Sequence, residues 1–287
     1  MLFETSVNKG TLFLYLCAPK KDQLTNNYYT MKRAFILLAT ALFVLTACNT
    51  HTVTVKYDIL TVDIDFPYSE GSQNKLVLDA EVQFPNSGFN NGSLPRACEV
   101  IRAACFGSEY QSFSGSLEEL GETWRDNWHE KYMNTCAERL KETNVSETDA
   151  PFLNWNIKVR GSFDDFFEEG YINYMVETSQ FTGGANGVSS EVPMVLDLNT
   201  GNAVNYNVFT GNATQSQLSE LLDKHKYDEL ELPKGVDKSQ VFSVATIEPS
   251  RHFSVDDDGI TFYYQPSEIA PASFGIIEIK LPWDELK

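Results

Sequence analysis

Residues 53–66 (VTVKYDILTVDIDF) and 75–84 (KLVLDAEVQF) are rich in β-branched side chains and partly alternate apolar with polar. Successive side chains on a strand point to opposite faces, so this alternation demands a sheet with one buried face. The joining PYSEGSQN has turn composition, and the two runs read as antiparallel neighbours. PNSGFNNGSLP, which follows, is a loop by its Gly, Asn, Ser and Pro content.

A sheet buried on one face needs a covering layer. Two helical segments supply it, Arg96 to about Phe106 and Ser116 to Lys141. In the second, Trp124, Trp128, Tyr132, Cys136 and Leu140 recur every four residues. Glu118, Glu119, Glu122, Arg125, Glu130 and Lys131 lie mostly elsewhere on the wheel. Such an aromatic stripe can be a ligand-binding face, but at this spacing it reads as core, and the helix is expected to cover the first sheet.

Strands resume at Phe152–Phe163 and Tyr171–Phe181, with the acidic DDFFEEG between them as a turn. TGGANGVSS, a strand over Val192–Leu198 and a turn at NTGNAV come next. A third helix fits Gln215 to about Leu222, and DDDGITFYYQP and GIIEIKLPWDEL close the chain as strands. The expected fold is α+β, with mostly antiparallel sheets and helices packed on one face. It divides into two small subdomains, residues 48–148 and 149–287.

Upstream of the first strand, Met31-Lys32-Arg33 precedes the apolar run Ala34–Val44 and then Leu45-Thr46-Ala47-Cys48. A basic start, a short apolar stretch and small residues before a cleavage point make a secretory signal. The run is too short to span a bilayer, which needs about 20 apolar residues. Leu-Thr-Ala-Cys resembles the lipobox of bacterial lipoproteins. Cys48 is therefore expected to carry lipid as the first mature residue, anchoring the protein to the membrane. Residues 1–30 read as a start assigned too far upstream and residues 31–47 as the signal peptide.

Cutting before Cys48 removes 47 residues and leaves 240 of the 287. It also removes five of the 22 basic and two of the 40 acidic residues, so the remainder carries 17 against 38, a net charge of about −21. Such a surface repels nucleic acid, whose binding needs Lys and Arg against phosphate. It favours solubility and draws cationic partners. NTHTVTVKYD, after Cys48, lacks the early acidic cluster that resembles a surface-export tag, so the periplasmic face of the envelope is the expected location.

Little in the sequence marks catalysis. His51, His129, His225 and His252 are scattered singly, without a zinc-binding spacing. VDDDGI (255–260) looks like a calcium loop, but Gln265 stands where a calcium loop needs glutamate, and a hairpin tip is the reading. There is no G-x-S-x-G elbow and no Walker lysine beside FTGGANG. Carboxylates are plentiful, so a glycan hydrolase stays open on their number alone. No cofactor and no metal are expected. Beyond Cys48 the cysteines are Cys98, Cys105 and Cys136. At most one disulfide is expected, with Cys136 as a partner for either of the others, and buried free thiols are the alternative.

Two stretches carry a resemblance. In YINYMVETSQFTGGANGVSSEVPMVLDLNTGNAV a strand meets a turn similar to Gly-Gly-Ala-His, followed by a strand and an Asp-x-x-Thr-Gly turn. HFSVDDDGITFYYQPSEIAPASFGIIEIKLPWDEL resembles a closing motif in which Tyr-Glu-Ile-Ala-Pro precedes the last strand. Together they resemble the extracytoplasmic domain family of RsiV-like lysozyme-responsive anti-sigma factors and PdaC-like peptidoglycan deacetylases. In the deacetylases it lies outside the catalytic domain, and it also occurs in stand-alone lipoproteins of Bacteroidetes-type bacteria. The likeness covers roughly residues 150–287. Asn186 stands where the family has histidine, and Ser267 where it has the tyrosine before Glu268.

The resemblance implies a binding or sensing module of the cell envelope, not an enzyme. A lysozyme-like cationic protein or a peptidoglycan component is the implied partner. It implies Gly183, Gly184, Asn186, Glu268 and Pro271 as candidate ligand-binding positions. A structural or assembly lipoprotein without a small ligand is the competing reading.

Overall fold

The computed structural model describes residues 39–42, 55–90, 92–168, 170–228, 230, 237 and 241–286. Cys48, residues 1–30 and the predicted signal apart from its residues 39–42 lie outside the described residues. Twelve principal elements follow in order: β1 (Ala39–Leu42), β2 (Lys56–Pro67), β3 (Lys75–Ser87), α1 (Leu94–Phe106), α2 (Leu117–Thr143), β4 (Trp155–Glu168), β5 (Tyr171–Thr182), β6 (Val188–Asp197), α3 (Gln215–His225), β7 (Phe253–Val255), β8 (Gly259–Tyr264) and β9 (Ile277–Pro282).

β1 to β6 lie side by side in chain order, and β7 to β9 form a second, antiparallel sheet. Every neighbour in the larger sheet is antiparallel except β3 and β4, which run parallel because α1 and α2 carry the chain back across the sheet. The fold is α+β with mostly antiparallel sheets. The boundary expected at 148/149 falls between α2 and β4, and the β3–β4 pairing, from Leu76↔Trp155 to Val82↔Gly161, continues the sheet across it. Buried side chains gather into two cores that meet at β6, one spanning Val55 to Leu198 and the other Val195 to Leu281.

The period-two pattern sorts the faces of the larger sheet. Leu60, Val62, Ile64, Leu76, Leu78, Ala80, Ile157 and Val159 point into the first core with α1 and α2. Asp63, Glu81, Lys158 and Glu177 occupy the other face and are exposed. α2 begins at a capping box in which Ser116 and Glu119 satisfy each other's backbone N–H. It ends at Asn144, held left-handed at φ 51°.

The aromatic stripe of α2 is core, as its spacing predicts. Trp124, Tyr132 and Cys136 are at most 2 % exposed, while Trp128 and Leu140 pack partly buried beside them. Phe106, Trp124, Trp128, Trp155 and Tyr132 make successive edge-to-face contacts 5.5–6.5 Å apart, a geometry that aligns ring edges with ring faces. The Tyr132 hydroxyl donates to Leu153 O at 2.8 Å, so its polar end is satisfied inside the core.

The structure departs from the sequence pattern at three strands. β4 runs on to Glu168 through the predicted DDFFEEG turn, with a bulge between Phe163 and Phe167, because Phe167 and Glu168 find partners in Ile172 and Tyr171. β6 starts at Val188, inside TGGANGVSS. β7 has no sequence signal of its own and exists because β8 pairs with it. VDDDGI is a hairpin tip: Asp256 Oδ1 accepts the N–H groups of Asp258 and Gly259, both at 2.9 Å. Cys98, Cys105 and Cys136 are free thiols, and no pairing with Cys136 forms.

Two side-chain amides join the sheets. Asn173 of β5 donates from Nδ2 to Val255 O at 2.6 Å and accepts from Val255 N–H at 3.1 Å. Gln265, just past β8, donates from Nε2 to Glu191 O and accepts from Glu191 N–H at 3.2 Å. Each amide supplies the donor and acceptor that an adjacent strand would offer. With Pro193, which has no N–H, Gln265 also blunts the open edge of β6.

Candidate functional site

Where the sheets meet, a depression of about 510 Å³ is lined by Asp164 of β4 and by Ser254, Asp256, Thr261, Tyr263, Glu278 and Lys280 of the smaller sheet. Its walls follow from strand register. Tyr263 pairs directly with Glu278 across β8 and β9, and Thr261 with Lys280, so these four side chains share a face. Glu177 of β5 sits directly opposite Glu191 of β6.

Glu191 flanks the depression without lining it. Partial burial lifts its carboxyl above the ordinary value, and the nearby Glu278 and Glu177 carboxylates lift it further. Among the described residues neither Glu177 nor Glu191 makes an ion pair. The Tyr263 hydroxyl is pushed up to about 12, first by burial, with Glu278, Glu191 and Asp164 adding to the rise. Ser254 Oγ donates to it at 3.4 Å. Tyr263 is therefore a neutral hydroxyl ringed by acids.

Lys280 brings a cation to this site, 2.8 Å from Asp256 Oδ2 and 3.6 Å from Asp258 Oδ2. Burial works against the ionised Asp256, but Lys280 and the N–H groups of Asp258 and Gly259 outweigh it and hold that carboxyl below its ordinary value. One end of the depression is thus neutralised. Glu278 lines the depression away from the Lys280–Asp256 pair, and the Glu177–Glu191 pair flanks it, so negative charge beside the depression suits a positively charged, donor-rich group. Among the described residues no three His, Cys, Asp or Glu side chains converge as metal ligands.

The positions singled out from the sequence lie elsewhere. Gly183, at φ 71°, packs so tightly that a Cβ would stand 2.0 Å from Phe152 O, and the preceding Thr182 O accepts from Arg139 Nη1 at 3.0 Å. Gly184 and Asn186 are exposed on the same β5–β6 turn. Glu268 closes the turn after β8, its Oε2 accepting from Gln265 N–H at 2.7 Å, and Ser267 there takes φ 73°. Ile269 and Ala270 are buried in the second core, while the flanking Glu268 and Pro271 are exposed. No hydrogen bond joins the two groups among the described residues, and none of these side chains lines the depression.

Sequence reasoning missed Glu177, Glu191, Tyr263 and Glu278. One signal was present: Glu177 and Glu191 are each seven residues from Gly184, so a hairpin centred on that glycine sets them opposite each other. Nothing local in the sequence brings β8 and β9 alongside them.

Residues 197–284 match a family model described as "Protein of unknown function (DUF3298)", a span that corresponds closely to the second core. The fold is similar to the crystal structure of a DUF3298 family member from Bacteroides fragilis. The TM-score is 0.66 at 21% sequence identity, covering 80% of this chain and 91% of that one. A DUF3298 family protein from Pseudomonas aeruginosa aligns with a TM-score of 0.48 at 12% identity, covering 88% of this chain and 92% of that one. No protein of curated function matches the chain. Among the described residues no helix is long and apolar enough to cross a membrane.

Proposed function

We propose that this chain is a lipid-anchored binding protein of the bacterial cell envelope, on its periplasmic face, whose acidic depression captures a cationic partner. The observation that carries this reading is that Glu177 stands directly opposite Glu191 beside the depression, with neither in an ion pair among the described residues. Like charges directly opposite on neighbouring strands destabilise a sheet. Perturbed titratable groups gathered beside a cleft mark functional sites more often than chance placement does. A cation seated there relieves the repulsion, so binding is favoured by the arrangement that weakens the empty protein.

The net charge of about −21 on the chain from Cys48 acts in the same direction, steering positive partners from a distance. The resemblance to RsiV-like domains favours a lysozyme-like basic protein as the partner, with a peptidoglycan component second. In this reading the protein captures and does not cut.

The test titrates the protein with lysozyme at about 50 and 200 mM salt, since screening weakens contacts between exposed charges. The expected result is saturable binding that falls with salt and falls again in Glu191→Gln and Glu278→Gln. Absence of saturable binding at low salt removes the protein partner, and a pull-down on purified peptidoglycan then decides the second. Failure of both leaves an assembly role without a ligand. Lipid on Cys48 is tested separately, by mass spectrometry of the protein purified from its native host.

A further inference from the structure

In the second half of the chain, α3 meets the last turn, residues Trp283–Glu285. His225, the final residue of α3, has a side chain only 13% exposed, and both its ring nitrogens face carboxylates. Nδ1 lies 2.7 Å from Asp228 Oδ2, and Nε2 lies 3.2 Å from Glu285 Oε2. Lys224 of the same helix reaches Glu285 Oε2 at 2.6 Å, and Lys226 is occupied with Asp223 at 3.1 Å. Among the described residues Asp228 and Glu285 are thus the acids that face the ring, one from the turn after α3 and one from the C-terminal turn.

A neutral imidazole has one N–H. With that proton on Nδ1 for Asp228, the Nε2 lone pair is buried against a carboxylate, and Nε2 has no well-aligned hydrogen bond to fall back on. The imidazolium meets an acid at both nitrogens. We infer that His225 is a proton-operated latch: charged, it pins the C-terminal turn to the end of α3, and on losing its proton it loosens that turn.

The loosened turn carries contacts of its own. Trp283 donates from Nε1 to Asp256 O at 2.8 Å and from its backbone N–H to Asp258 O at 3.1 Å, so the same turn braces the β7–β8 tip. Burial opposes the charge on His225, yet the hydrogen bond at Nδ1 to Asp228 and the Glu285 carboxylate beside Nε2 prevail and raise its pKa above the ordinary 6.5. A raised histidine stabilises fully below the unfolded value, and its contribution is lost as pH climbs through the folded value. The latch therefore holds in mild acid and weakens on the alkaline side of 6.5. It does not depend on what the depression binds.

Imidazole titration by NMR on the intact protein tests this directly. His225 is expected to titrate above 6.5, while His129 and His252, whose pKa values burial lowers, titrate below it and serve as internal references. The His225 midpoint should fall in Glu285→Gln and in Asp228→Asn. Amide exchange across residues 283–286, corrected for base catalysis, should rise with pH by about tenfold per unit of His225 elevation, and should lose that dependence in His225→Gln. A wild-type His225 midpoint at or below 6.5, or exchange at the C-terminal turn that ignores pH, overturns the proposal. The wild-type measurements stand even if a variant fails to fold.

Discussion

Asn173 and Val255 pair as two strands do, although one partner offers a side chain and the other its backbone: the amide of Asn173 both donates to Val255 O and accepts from Val255 N–H. Asn173 is 2% exposed, and the contact lies where the two sheets meet. Buried backbone groups left without partners are costly, so this single amide satisfies an edge of β7 that no strand covers.

Replacing it should therefore cost more than one ordinary hydrogen bond. Asn173→Ala leaves a buried N–H and a buried C=O unpaired, and at roughly 1–3 kcal/mol for each such group the expected loss is about 2–6 kcal/mol. Urea denaturation monitored by tryptophan fluorescence measures it. A loss below that of an average surface substitution would show that water replaces the amide.

The two glycines of the β5–β6 turn should behave differently. At Gly183 a Cβ meets Phe152 O at 2.0 Å and φ is 71°, whereas at Gly184 nothing lies closer than 3.9 Å. Gly183→Ala is expected to lower stability by at least ~1–2 kcal/mol from the left-handed backbone alone. Gly184→Ala should stay within about 0.5 kcal/mol of wild type. Thermal unfolding of the pair separates a packing requirement from a ligand-contact requirement.

Glu191 predicts a pH dependence. Its folded pKa is raised, so the folded state holds that proton more tightly than the unfolded chain, and stability falls as pH rises from the ordinary carboxylate value through the folded one. Glu191→Gln should flatten this part of the stability–pH curve and leave the protein slightly more stable near neutrality. Denaturation midpoints at several pH values from 4 to 7 provide the check; an unchanged slope would mean that neither burial nor the neighbouring Glu278 and Glu177 raises this carboxyl.

The thiols should be inert in the folded protein. Burial pushes Cys105 up to about 12 and Cys136 up to about 11, and half-buried Cys98 is raised as well, first by burial. The thiolate is the reactive form, so little is present at neutral pH. A form beginning at residue 49 should label slowly with a thiol reagent when folded, at Cys98 first, and at three sites in denaturant. Rapid native labelling of Cys105 or Cys136 would contradict the packing described for them.

Most of what the sequence determined is local in origin. The alternation in β2 and β3, the four-residue stripe of α2, the Ser116–Glu119 cap and the Asp256–Gly259 tip each act over a few residues, through strand period, helix period and turn chemistry. They suffice for the α+β class and for much of the first core. Tertiary structure alone decided the remainder. β7 is a strand because β8 and Asn173 supply its partners, and β4 outlasts its predicted turn because β5 continues beside it. The candidate site is non-local in the same sense. Glu191 and Glu278 stand 87 positions apart in the chain, and their mutual repulsion exists only once two sheets have packed, since a Coulomb interaction depends on distance in space and not along the backbone.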